Sequence, residues 1–107
     1  MPGLFWSDMK AFELRALAEQ GYTVLFPVAS TEQHGPGLPV GVDQFLCEEV
    51  ARRTAERVAD AGGKVVVAPC LYVGLAEHHM PFGGTLTLDV ATYKALLSNL
   101  CVRTHHL

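Results

Sequence analysis

Residues 22–43 decide how this chain folds, and they read YTVLFPVASTEQHGPGLPVGVD. The first seven residues form a short, nearly continuous apolar run, which is typical of a buried parallel strand. The loop that follows is rich in Gly and Pro, which fix an unusual backbone path. It also carries two carboxylates and one imidazole, on Glu32, Asp43 and His34. Because ligands bind at the carboxyl ends of parallel strands, we expect a binding site here.

Helix and strand patterns alternate along the rest of the chain. Each predicted helix has a polar residue that can cap its start or a glycine that suits its end. The predicted elements are a helix over 8–20 that Ser7 or Asp8 caps and Gly21 ends, a strand over 22–28, a helix over 44–61 that Gly62-Gly63 ends, a strand over 64–69, and a third helix that Asp89 caps.

Apolar residues at helical spacing predict which face of each helix is buried. The predicted inward residues are Met9, Phe12, Ala16 and Leu17 in the first helix; Leu46, Val50 and Val58 in the second, with Cys47, Ala51 and Ala55 beside them; and Tyr93, Leu96, Leu97 and Leu100 in the third.

Strands separated by helices imply a parallel sheet with right-handed crossovers. The fold class is therefore α/β, as the N-terminal part of a doubly wound, mainly parallel sheet with flanking helices. Two strands would leave two bare sheet edges, so we expect this pattern to be truncated. We also expect homo-oligomers, because unpaired strand edges associate.

Composition excludes several classes of function. Half of the 107 residues are apolar, 18% are charged, and the formal net charge is -3. This charge argues against nucleic acid or an anionic membrane as a partner, and no apolar run approaches the roughly 20 residues that span a bilayer. The N-terminus lacks the pattern of a secretory signal. Three separated cysteines, Cys47, Cys70 and Cys101, indicate free thiols in a reducing cytoplasm.

The spacing of the loop residues favours a divalent metal ion. Glu32 and His34 are two residues apart, which puts both side chains on the same side of an extended segment. Oxygen ligands with one imidazole suit Zn²⁺, Mn²⁺ or Fe²⁺ better than Ca²⁺. Each residue also has a plainer interpretation: Asp43 could cap a helix, Glu32 could be solvated, and His34 could bond a backbone carbonyl.

Two ordered motifs carry a resemblance to a known family. The first is Ser30-Thr31-Glu32-Gln33-His34-Gly35-Pro36, preceded by Leu25-Phe26-Pro27-Val28 and followed by Gly41-Val42-Asp43. The second spans 74–88, with His79 and Phe82-Gly83-Gly84-Thr85 at its centre. Both resemble the creatininase (creatinine amidohydrolase) family, whose members are metal-dependent hydrolases of C–N bonds in amides.

This resemblance implies a two-metal centre of zinc or manganese, sometimes iron. Glu32 would ligate one metal, His34 the other, and Asp43 would bridge them, so that a metal-activated water attacks the amide carbon of a small-molecule substrate. His79, Gly84 and Thr85 would line the substrate pocket.

The sequence also departs from the family. Gly37 stands where a second His is usual, Gly83 replaces a common Pro, and Val42 replaces a frequent Thr. Family members are more than twice as long, and their remaining ligands lie in a later Asn-Gly-His-type motif. Residues 1–107 are therefore expected to form a single partial creatininase-like domain, with His105 and His106 at a frayed end rather than acting as substitute ligands.

Three functional hypotheses follow. The leading one is a creatininase-family amidohydrolase, incomplete in this chain. The alternative is a non-catalytic fragment or interaction module that retains a partial metal site. A flavodoxin-like binder of small molecules is disfavoured, because Gly35-Pro36-Gly37 does not fit a phosphate-cradling GxGxxG loop.

Overall fold

The computed structural model describes residues 4–104, which form helices on both faces of a small parallel sheet. The prediction for His105 and His106 therefore lies outside the described residues. The elements are a 3₁₀ turn at Trp6–Asp8, α1 at Ala11–Glu19, β1 at Thr23–Leu25, α2 at Val42–Asp60, β2 at Val65–Val67, a second 3₁₀ segment at Glu77–Phe82, and α3 at Val90–Thr104.

The parallel sheet is confirmed, with shorter strands than predicted. β1 and β2 pair in parallel, with Val24 opposite Val66. Pro27 and Pro69 follow the two strands, and proline has no backbone N–H to donate to a sheet. One further parallel bridge joins Val28 to Leu71, beyond the prolines. The regular ladder therefore ends early, while the two chain segments continue side by side.

β2 has a neighbour on each side. Its Val67 N–H donates to the Leu4 carbonyl at 2.7 Å, and Phe5 forms a parallel bridge to Val67. The N-terminal segment therefore lies along the edge of β2 that β1 leaves open.

The predicted start of the first helix is wrong. α1 begins at Ala11 after Lys10, with no side-chain cap, so neither Ser7 nor Asp8 caps it. Because Phe5 is held against β2, the chain turns through a 3₁₀ segment before α1 can begin. Gly21, with φ of 76°, follows the end of α1 as predicted.

Two neighbouring residues of β2 pack against α1 and α2, which lie on opposite faces of the sheet. Val66 packs with Leu14 and Leu17 of α1, and Val67 packs with Ala51 and Ala55 of α2. Because neighbouring strand residues point to opposite faces, one strand supports both cores. This arrangement confirms the predicted α/β layering.

The predicted inward faces of α1 and α2 are only partly right. Leu17 is buried as predicted, but Phe12 is 67% exposed and Leu14 takes the inward place. On α2 the small residues face β2, while Leu46 and Val50 are exposed. Alanine lets the helix axis approach the sheet closely, so the bulkier residues turn away.

The third helix agrees with the prediction. Asp89 caps it, because the Asp89 Oδ1 accepts the Thr92 N–H at 2.7 Å. The predicted inward residues are all half-buried: Tyr93, Leu96, Leu97 and Leu100. Within the described residues, no helix is both long and apolar enough to cross a membrane.

Candidate metal centre

Two loop contacts and one helix position the residues that the sequence marks as ligands. Thr31 forms an antiparallel bridge with Leu86, whose N–H donates to the Thr31 carbonyl at 2.9 Å. The next residue, Glu32, donates its N–H to the Val40 carbonyl at 3.3 Å, which folds the loop back on itself. Asp43 then stands in the first turn of α2. The loop therefore brings residues eleven positions apart in sequence to one place.

The structure brings the three candidate ligands together. One ligand atom each from Glu32, His34 and Asp43 lies within 4.8 Å of the other two. His34 Nε2 and Asp43 Oδ2 are 3.6 Å apart, which is beyond a hydrogen bond. All three residues are half-buried. The cluster therefore leaves a space between donor atoms rather than closing on itself.

The plainer interpretations of these residues do not fit their surroundings. Asp43 makes no side-chain cap bond, because Gly41 occupies the cap position of α2. The Glu32 side chain is only 16% exposed, so it is not freely solvated. Among the described residues, the Nε2 atom of His34 is the buried side-chain atom without a hydrogen-bond partner. A buried atom of this kind is costly unless something binds it, and a divalent cation fits this set of donors.

The second motif lies directly against the first. The Gln33 N–H donates to Thr85 Oγ1 at 3.0 Å, and the Thr85 hydroxyl donates in turn to the His79 carbonyl at 3.4 Å. Gln33 Nε2 lies 2.7 Å from His79 Nδ1. The Nε2 atom of His79 is then 3.7 Å from Glu32 Oε2. Residues more than 45 positions apart in sequence thus form one polar network.

Sequence reasoning did not assign a role to Gln33. A signal was available, because Gln33 stands between Glu32 and His34 in an extended segment. Alternation along that segment turns the Gln33 side chain away from those of Glu32 and His34, and His79 reaches Gln33 through Nδ1 and Glu32 through Nε2. The Gln33 side chain thus reaches the second motif, which the sequence places far along the chain.

Of the residues predicted to line a pocket, His79 is half-buried, Gly84 is exposed and Thr85 is buried. Gly84 has φ of +71°, and a Cβ there would stand 3.0 Å from a Val40 methyl carbon. A side chain at this position would be strained and would press on Val40 in the loop of residues 30–43, here called the candidate-ligand loop. Gly84 thus lets the two motifs approach each other.

A cleft of about 410 Å³ lies elsewhere, between the N-terminal segment, α2 and the end of β2, and includes none of the three ligand candidates. Burial raises the pKa of the Cys70 thiol in this cleft to about 11. Arg52, also in its lining, hydrogen-bonds Glu49 and holds the pKa of that carboxyl at about 2. A protonated thiol and a carboxylate already paired with arginine make this cleft a poor candidate for catalysis. The cluster of Glu32, His34 and Asp43 is therefore taken as the candidate functional site.

Comparison with known proteins identifies relatives of this arrangement. The family model described as creatinine amidohydrolase matches residues 7–106. A mycofactocin precursor peptide peptidase of Mycolicibacterium smegmatis is 41% identical over 75 residues, which cover 69% of this chain. A 3-dehydro-scyllo-inosose hydrolase of Thermotoga maritima is 36% identical over 97 residues, which cover 90% of this chain.

Solved structures agree with the sequence comparison. A creatinine amidohydrolase (creatininase) structure superposes with a TM-score of 0.84 at 26% identity, covering 98% of this chain and 42% of that one. A structure described as "Creatininase Mn" has a TM-score of 0.73 at 30% identity, covering 85% of this chain and 36% of that one. Another creatininase is described as Zn-Zn type. The chain spans 30% of the length of each of the two curated relatives named above.

Proposed function

The chain belongs to the creatininase family, and from this premise we propose that it supplies part of a metal centre for hydrolysis of a C–N amide bond. The coarser assignment is a hydrolase fold, since the relatives are named as a peptidase, a hydrolase and an amidohydrolase. The observation that carries the proposal is the unpartnered, buried Nε2 of His34 beside two carboxylates.

We assign the ligand roles to Glu32, His34 and Asp43. His34 offers the lone pair of a neutral imidazole, and Asp43 offers two oxygens, so it can bridge two cations. A bound divalent cation would lower the pKa of a water and polarise the amide carbonyl. Zinc and manganese are the first candidates, with iron third, because the donor set suits all three and matched creatininases are described as Mn and Zn-Zn forms. Two ions are proposed for a complete site.

The residues of the second motif are proposed to face the substrate, a small-molecule amide. His79 stands beside Glu32, and Gly84 keeps a side chain out of the space next to the loop. Thr85 fixes the two motifs against each other at this side of the pocket, because its hydroxyl already bonds backbone groups of both motifs. These three residues would orient the substrate rather than ligate the metal.

Metal titration of the 107-residue chain tests the proposal. We expect isothermal titration calorimetry to detect Zn²⁺ or Mn²⁺ binding by the wild-type chain. Substitution of any proposed ligand (Glu32→Ala, His34→Ala or Asp43→Ala) should abolish this metal binding. His78→Ala and Glu48→Ala are matched controls, because both side chains are exposed and outside the cluster. A wild-type chain that binds neither metal, or ligand variants that bind as tightly as the controls, would refute the metal role.

A second candidate function is a non-catalytic interaction module with a partial metal site. It is favoured by the large apolar side chains that the described residues leave exposed on α2, such as Phe45, Leu46 and Val50. Assays of amide hydrolysis by this chain decide between the two: turnover that Asp43→Ala abolishes excludes the module, and metal binding without turnover supports it.

We further propose a homo-oligomer located in the cytoplasm. The exposed apolar face of α2 supports the first part, and the free thiols of all three cysteines support the second. In sedimentation velocity, Val50→Lys should shift the population toward monomer, whereas Arg53→Lys on the exposed charged side should not. A wild-type chain that remains monomeric at high concentration would contradict the oligomer.

A further inference from the structure

Gln33 and His79 join the two sequence motifs through a contact whose direction can be assigned. The Gly35 N–H lies 2.9 Å from Gln33 Oε1. A backbone N–H can only donate, so the atom it meets must be the amide oxygen. The amide nitrogen of Gln33 therefore faces His79 Nδ1, 2.7 Å away.

This direction fixes the tautomer of His79. An amide nitrogen is a donor, so Nδ1 of His79 must accept. In a neutral imidazole the proton then resides on Nε2. Nε2 is the atom that points toward Glu32 Oε2, at 3.7 Å. A donor thus faces a carboxylate oxygen, although the distance is still longer than a hydrogen bond.

We propose that Gln33 sets the tautomer of His79 so that its Nε2–H holds the Glu32 carboxylate in its ligating orientation. His79 is thereby a positioning residue rather than a fourth metal ligand. Ligation would need the Nε2 lone pair, which this tautomer does not offer. The inference rests on the proposed function, because it assumes that Glu32 binds a metal.

A chemical reason makes this arrangement useful. A carboxylate that ligates through one oxygen is oriented by a donor on the other oxygen, and loss of such a partner typically lowers metal affinity by about 10–100-fold. The side chains of Glu32 and His79 are 16% and 25% exposed, so water competes weakly for the same contact. The proposal requires this 3.7 Å separation to close to a hydrogen bond when Glu32 binds a cation.

Gln33→Glu tests the tautomer directly. A carboxylate cannot donate, so a neutral His79 must place its proton on Nδ1 to bond it, and a lone pair then faces Glu32. The spectra are recorded under alkaline conditions, because an imidazole between two carboxylates otherwise takes up a second proton. We expect ¹⁵N-correlated imidazole spectra of the metal-free chain to show protonated Nε2 in the wild type and protonated Nδ1 in the variant. His78→Gln should leave the tautomer of His79 unchanged, although its chemical shifts will move because the two rings lie 4.1 Å apart. A wild-type His79 protonated on Nδ1 would overturn the proposal.

Metal affinity provides the second measurement. Gln33→Glu should bind Zn²⁺ or Mn²⁺ about 10–100-fold more weakly, although its added negative charge alone would strengthen binding. His79→Leu should show a similar loss, and His79→Gln, which restores an N–H donor, should recover part of it. Unchanged affinity in Gln33→Glu and His79→Leu would overturn the positioning role. If the wild type binds no metal, the proposed function fails, and the positioning of a ligand fails with it, whereas the spectra still decide the link between Gln33 and His79.

Discussion

The candidate-ligand loop and the outward face of α2 differ in whether their side chains find partners within the chain. In the loop, polar groups from two distant motifs bond one another, as Gln33 does with Thr85 and His79. On α2, large apolar side chains such as Leu46 and Val50 remain more than half exposed. Hydrogen bonds between the two motifs thus shape the site, whereas the surface of α2 presents apolar area that only further contacts can bury.

The largest expected difference appears when the same substitution is made on the two kinds of surface. Leu17 is 4% exposed in the core, and Leu46 is 61% exposed on the outward face of α2. Leu17→Ala should lower the free energy of unfolding by about 2–5 kcal/mol, because it leaves a cavity. In the monomer, which dilute protein favours, Leu46→Ala should change it by no more than about 0.5 kcal/mol. Urea denaturation measures both, and equal losses would mean that the α2 face is covered in solution.

Metal addition should stabilise the loop side of the molecule. An ion that binds only the folded chain adds about 2.7 kcal/mol at 100 times its dissociation constant. We expect the thermal unfolding midpoint to rise with Zn²⁺ or Mn²⁺ and to return when a chelator is added. Asp43→Asn should remove the shift. A rise of the same size in that variant would locate the binding outside the cluster.

The bonds between the two motifs should contribute a smaller amount. Thr85 is buried, and Thr85→Val keeps its shape while leaving the Gln33 N–H without an acceptor. The expected loss is about 1–3 kcal/mol in the free energy of unfolding. Thr54→Val is the matched control, because the Thr54 hydroxyl bonds a helix carbonyl at an exposed position. Equal effects of the two substitutions would contradict the role assigned to Thr85.

The smallest effect concerns the cap of α3. The backbone N–H of Thr92 donates to Asp89 and holds the pKa of this carboxyl below its ordinary value. A lowered pKa adds stability that is complete above the unfolded value of about 3.9 and is lost as the pH falls through the folded pKa. Asp89→Ala should therefore unfold at a lower temperature than the wild type at neutral pH, and the difference should shrink in acid. Asp8→Ala, which removes no cap, should show no such pH dependence.

The order of elements and the proximity of Glu32, His34 and Asp43 could be predicted from the sequence, because both depend on residues near one another along the chain. Glu32 and His34 follow an apolar strand, and Asp43 lies in the first turn of the next helix. Because the end of a strand and the start of the following helix lie at the same edge of a parallel sheet, the three side chains are expected to be close together. The inward face of α2 could not be predicted in the same way. Hydrophobicity ranks Leu46 above Ala51, but the distance between helix and sheet selects the smaller residue. The predicted start of α1 was wrong for a similar reason, because the bridge between Phe5 and Val67 of β2 moves the start of the helix to a later residue.

The bridge between Thr31 and Leu86 has a consequence for synthesis of the chain. A ribosome makes the candidate-ligand loop before it makes the segment around Leu86 that bridges to Thr31. Until residues 79–86 have been made, Gln33 cannot form its bonds to His79 and Thr85, and the Thr31–Leu86 bridge cannot form. The side chains of Glu32 and His34 therefore have no fixed orientation before that point. The N-terminal segment likewise waits for Val67 before it can pair. Closing such long loops costs entropy that only later contacts repay, so we expect the nascent chain to acquire metal only after Leu86 has emerged.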